Sequence, residues 1–94
     1  MGLILMSITI CIEFAVEDFE RFINTYNSRE RSRAAAGLST TAYRNQDNAN
    51  QAVVVGTAPS KEAFTTFFSS PEQQEAMKGA GIQGPPSITF LEEA

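Results

Sequence analysis

The 94-residue chain predicts an α+β fold in which one strand-helix-strand unit occurs twice. Three observations carry this. The first residues alternate apolar and polar with period two. The apolar spacing switches to a helical period after Asp18 and again after Ser60. The second half also echoes the first at an offset of 42 residues. Glu20 then falls on Glu62, Phe22 on Phe64, Ser28 on Ser70, Glu30 on Glu72, Ala34 on Ala76 and Gly37 on Gly79. These are six identities in positions 18–37, where roughly one is expected by chance. Tyr26 meets Phe68, and Asp18 meets Ser60, both helix-capping types.

Residues 4–14 form the first predicted strand. Met6, Ile8, Ile10, Ile12 and Phe14 share one face, and Ser7, Thr9, Cys11 and Glu13 share the other. A helix follows, with Asp18 as N-cap and Glu17 and Glu20 suited to its positive end. Phe19, Phe22, Ile23 and Tyr26 give it one apolar stripe. Beyond Tyr26 that stripe meets Arg29, Glu30 and Arg33, so a break is expected near Asn27-Ser28. Ser28 then caps a short second helix running to Ala36, and Gly37 ends it in the left-handed conformation. Leu38 to Arg44 is a second strand. The polar stretch 45–50 is a turn whose Asn and Asp side chains bond their own backbone. Gln51 to Thr57 is a third, largely buried strand carrying Val53, Val54 and Val55.

In the second half Ser60 is the N-cap, and Phe64, Phe67 and Phe68 form the stripe. Ser70-Pro71-Glu72-Gln73 is a fresh helix start: a cap, proline at the first position, and Gln three residues on. This helix stops near Lys78-Gly79. Gly81, Gly84 and Pro85-Pro86 make an irregular link to a last strand, Ser87 to Glu92, with Ile88 and Phe90 on one face.

The order β-α-β-β-α-β, with right-handed crossovers, places both helical layers on one side of an antiparallel sheet. This is a ferredoxin-like architecture, read as a single domain over residues 1–94. Ile8, Ile10, Ile12, Phe22, Ile23, Phe64, Phe67 and Phe68 fill the helix side. No further element is left to cover the side carrying Thr9, Cys11 and Glu13.

Composition narrows the chemistry. Eleven acidic against seven basic residues give a net charge of −4, which opposes a nucleic-acid partner. Cys11 is the only cysteine, so no intrachain disulfide forms, which fits a reducing, cytoplasmic setting. The apolar start from Gly2 to Met6 is too short to span a bilayer, and no membrane partner is expected. Gly2 touches the N-myristoylation pattern, but the required hydroxyl position is Met6. Histidine and tryptophan are absent. Without histidine there is no Ser-His-Asp or Cys-His nucleophile system, no usual haem ligand and few ways to hold zinc or iron. No cofactor and no metal are expected.

Several ferredoxin-like functions fit poorly. RNA-recognition domains need aromatics on the two central strands, which here offer Thr9, Cys11 and a valine run. A copper chaperone needs a cysteine pair. An acylphosphatase-type phosphate loop would stand where Phe14-Ala15-Val16-Glu17-Asp18 is acidic. An amino-acid-binding regulatory domain stays open, without a glycine turn after the first strand to support it.

Val16-Glu17-Asp18-Phe19, the hairpin Arg44 to Asn50 before Ala52-Val53-Val54-Val55, Ser60-Lys61-Glu62-Ala63-Phe64, Ser69-Ser70-Pro71-Glu72, Ala80-Gly81-Ile82 and Phe90-Leu91-Glu92-Glu93 together resemble the dimeric α+β barrel superfamily. That group includes antibiotic-biosynthesis-monooxygenase-like and stress-responsive barrel proteins. The resemblance spans nearly the whole chain and implies a homodimer joined through the open sheet faces. It implies a pocket for a small apolar or aromatic molecule. Alternatives are a cofactor-independent monooxygenase or isomerase acting on an aromatic or enolisable substrate, or a non-catalytic interaction module. Haem-degrading and chlorite-dismutase-like members use residue types missing here.

Four residues are candidates for a site. Tyr26 and Tyr43 could hydrogen-bond a ligand at a pocket rim, with core-edge packing as the plainer reading. Arg29, with Arg33, could bind a carboxylate or enolate, against a surface or ion-pair role; Arg44 is similar. Glu13 on the bare face could act as a base, or pair with Arg44 at a rim. Cys11 reads as a small buried residue. Glu17, Asp18 and Glu20 suit a helix start better than a metal cluster.

Overall fold

The computed structural model describes residues 7–94. The expected strand start at residues 4–6 and the Gly2 pattern lie outside the described residues. The elements run β1 (Ile8–Ala15), α1 (Phe19–Ser28), α2 (Glu30–Ala35), β2 (Ser39–Arg44), β3 (Gln51–Ala58), α3 (Lys61–Phe68), α4 (Pro71–Gly79) and β4 (Ser87–Leu91). The strands form one antiparallel sheet in the order β2-β3-β1-β4. This is the ferredoxin-like α+β fold expected from the duplicated unit, with each helical layer split into two short helices.

The caps explain where the helices start. The Asp18 carboxylate accepts the Glu20 amide at 3.0 Å, the Ser60 hydroxyl accepts Ala63 N–H at 3.0 Å, and the Ser70 hydroxyl accepts Gln73 N–H at 3.3 Å. Ser28 departs from expectation. It is the last residue of α1 and caps nothing; its hydroxyl donates back to the Thr25 carbonyl at 2.7 Å. The break falls one residue later, at Arg29 (φ −101°, ψ 11°), which has no side-chain cap bond to α2. Gly37 follows α2 at φ 83°, the left-handed geometry that glycine tolerates.

The helix-facing side of the sheet is dry. Ile10, Ile12, Phe14, Ala52, Val54 and Ala58 are buried there against Phe22 and Phe64. Burying each large apolar side chain stabilises by roughly 1.5–3 kcal/mol. The rings interlock: Phe14 and Phe22 centroids lie 5.3 Å apart, Phe64 stacks on Phe68 at 5.1 Å, and Phe90 meets Phe64 edge-on at 5.6 Å.

The opposite side is a grid of three cross-strand rows: Tyr43-Val53-Glu13-Ser87, Thr41-Val55-Cys11-Thr89 and Ser39-Thr57-Thr9-Leu91. Two expectations are corrected here. β3 is buried on one side only, because strand alternation turns Val53 and Val55 outward beside Val54. For the same reason Cys11 is half-exposed rather than buried.

The link before β4 is also better tied than its glycines and prolines suggested. Ile82 bridges Val16, and Gln83 N–H donates to the Ala15 carbonyl at 2.8 Å. Among the described residues no helix is long and apolar enough to cross a membrane.

Candidate functional site

The helix layer does not close fully on the sheet. Where α1 gives way to α2, the stripe Phe19-Phe22-Ile23-Tyr26 runs out and arginines take its place. A cavity of about 50 Å³ remains between this junction, α4 and the sheet. Its floor is Ile10, Ile12 and Val54 from the sheet, its walls include Phe22, Phe64, Phe67 and Met77, and its polar end holds Thr25, Tyr26, Arg29, Arg33, Thr40 and Gln73.

That polar end is assembled from four elements, α1, α2, β2 and α4. The Tyr26 hydroxyl and the Thr40 hydroxyl are 2.6 Å apart, joining α1 to β2. The Arg33 guanidinium lies over the Tyr26 ring, 3.6 Å from its centroid, and donates through Nη1 to the Tyr26 carbonyl at 2.5 Å. Arg29 reaches the other way. Its Nε donates to Gln73 Oε1 on α4 at 3.1 Å, and its guanidinium sits 5.8 Å from the Phe67 ring. Burial pulls the Arg33 pKa below its usual value, an effect opposed by Tyr26 and Glu30. An arginine starts so high that it stays charged.

Arg29 and Arg33 are the two half-buried arginines; Arg21, Arg31 and Arg44 are exposed. Among the described residues neither is in an ion pair. The salt bridge found among the described residues joins Arg21 to Glu17 at 3.0 Å. Of the surface or ion-pair role expected for Arg29 and Arg33, the structure shows two half-buried side chains with no ion pair among the described residues. Tyr26, Arg33, Leu38 and Thr40 also form the partition between the cavity and an open groove of about 460 Å³ alongside β2.

The four candidates do not form one site. Tyr26 and Arg29 line the cavity. Glu13 and Tyr43 lie on the bare side of the sheet, in one row with Val53 between them. Tyr43 is 55% exposed, so it does not pack at a core edge within the chain. Glu13 cannot pair with Arg44, which points to the helix side, 5.0 Å from the Phe19 ring, and donates to the Ala49 carbonyl at 3.3 Å. Period-two alternation separates residues 13 and 44 across the sheet.

Gln73, Thr25, Thr40 and Met77 were not singled out by sequence reasoning. Gln73 looked like the partner in a capping box, yet its side chain turns to Arg29 instead. No Asp, Glu or His lines the cavity. Its side chains can bind, orient and stabilise negative charge, but they offer no carboxylate or imidazole as a proton acceptor.

SnoaB, a cofactor-independent oxygenase from Streptomyces nogalater solved as a point variant, superposes with a TM-score of 0.73 at 16% identity, covering 95% of this chain and 96% of SnoaB. The chain has the fold of the antibiotic biosynthesis monooxygenases. A proposed member from Bordetella bronchiseptica gives a TM-score of 0.79 at 15% identity over 94% of this chain and 97% of that one. A conserved protein from Methanosarcina mazei gives 0.75 at 12% identity over 96% and 95%. No family model matches the sequence, and no curated protein matches it. At such identities the likeness speaks for the fold, which agrees with the resemblance seen in the sequence.

Proposed function

We propose that the protein is a homodimeric barrel that binds a small aromatic or otherwise apolar molecule in the cavity between the helices and the sheet. The observation that carries this is the cavity itself: aromatic and aliphatic walls with polar groups gathered at one end, the usual make-up of a small-molecule site. At about 50 Å³ it has room for a few waters but not for an aromatic ring. Binding therefore needs the walls to give. The walls best able to move are α2 and α4, neither of which has a buried residue, and the flexible Met77.

The likeness to SnoaB favours a second reading, a cofactor-independent oxygenase. With no carboxylate or histidine in the lining, its substrate would have to ionise readily by itself, helped by the nearby arginines.

The binding reading is tested by calorimetric titration with a two-ring aromatic probe, 2-naphthoate or 2-naphthamide. Saturable one-to-one binding of either is expected, and Ala76→Phe, which fills the cavity from α4, should reduce it at least tenfold. Binding that ignores Ala76→Phe in a folded variant, or no binding of either probe, would overturn the reading.

A further inference from the structure

We infer that the molecule taken into this cavity is an aromatic carboxylate, whose head group is received by Arg29 and Arg33. The inference rests on the binding reading above and adds the chemical class of the ligand.

Three features of the polar end support it together. First, Arg29 and Arg33 are half-buried, whereas the chain's other arginines are exposed. Second, neither has a carboxylate within ion-pairing distance among the described residues, and positions 1–6 contain no acidic residue that could supply one. Charges withdrawn from water usually have a counter-charge, so two such cations at one apolar cavity leave an anion to be supplied from outside. Third, their protein bonds leave most donors free. Arg29 donates to Gln73 and Arg33 to the Tyr26 carbonyl. Each guanidinium carries five N–H donors in a planar fork, the geometry that matches a two-oxygen acid.

The same contacts fix the two forks from behind. Stacking on Tyr26 holds Arg33, and Gln73 holds Arg29, so less side-chain freedom is lost when an anion arrives. The Phe22, Phe64 and Phe67 walls then face the ring of the ligand. Glu30, whose charge acts on Arg33, lines the outer groove rather than the cavity. It disfavours an anion approaching along that groove and leaves the inner end as the favourable place for the head group.

The test compares 2-naphthoate with its neutral isostere 2-naphthamide by calorimetry, at neutral pH and low salt. Wild-type protein should bind the carboxylate at least tenfold more tightly. Arg29→Gln and Arg33→Gln should each erase most of that preference, read as the ratio of the two affinities within the same variant. Equal binding of the two probes to the wild type, or tighter binding of the amide, would overturn the inference while leaving the cavity as a binding site. Failure of both probes would instead remove the binding reading beneath it. The wild-type comparison needs no variant, so misfolding of either substitution does not spare the inference. A preference for the carboxylate that survives both substitutions, checked for folding by circular dichroism, would also overturn it.

Discussion

Single residues set the spacing of this fold most visibly at Gly56. It sits in β3 opposite Thr40 and Ile10. A Cβ there would meet the Ser39 carbonyl oxygen at 2.1 Å and Thr40 Cα at 2.5 Å, both backbone atoms that cannot step aside. Gly56→Ala is therefore expected to destabilise the protein by about 2–4 kcal/mol, measured by urea unfolding; a loss under about 0.5 kcal/mol would contradict this close approach. The sequence showed only a glycine ending a valine run, because close approach is a property of two strands and one strand cannot display it. Arg29 and Arg33 are similar. Their place on the failing apolar stripe was legible, and so was their capacity for an anion. That no carboxylate among the described residues pairs with them depends on how α2, α4 and the sheet meet, which no local pattern encodes. Glu13 and Tyr43 entered the same candidate list as Tyr26 and Arg29, yet strand alternation sends the two pairs to opposite sides of the sheet.

Among the elements, the two halves repeat their layout but not every device. Ser70 caps α4, while its counterpart Ser28 is absorbed into the end of α1. Pro71 explains the difference. It stands at the first position of α4 and cannot continue the preceding helix, whereas the matching Arg29 can nearly do so. Ser70→Ala should cost about 1 kcal/mol of unfolding free energy, and Ser28→Ala under about 0.5 kcal/mol. Equal losses in thermal or urea unfolding would show that the halves cap alike after all. Strand and helix order, both hairpin ends and the caps at Asp18, Ser60 and Ser70 were readable because each rests on local chemistry. The anchoring of the 81–86 link to the end of β1 was not, since its partners Ala15 and Val16 lie far away in sequence.

At the scale of the whole molecule, one sheet serves two purposes. Its helix side holds the core and the cavity. Its other side is a nearly uncharged surface on which Glu13 is the one charge in three rows of four. Both exposed large hydrophobic residues found among those described, Tyr43 and Leu91, lie there. Such a surface suits docking of a second copy. Composition and strand alternation announced this surface; what covers it is a question of association, which a single chain's pattern does not answer. Sedimentation velocity at micromolar concentration tests it most directly, on the wild type and on Val55→Glu, which puts a charge in the middle row between Cys11 and Thr41. A wild-type dimer that becomes a folded monomer on Val55→Glu is the expected result. A wild-type monomer, or a dimer indifferent to that charge, would contradict the docking of two bare sheet faces.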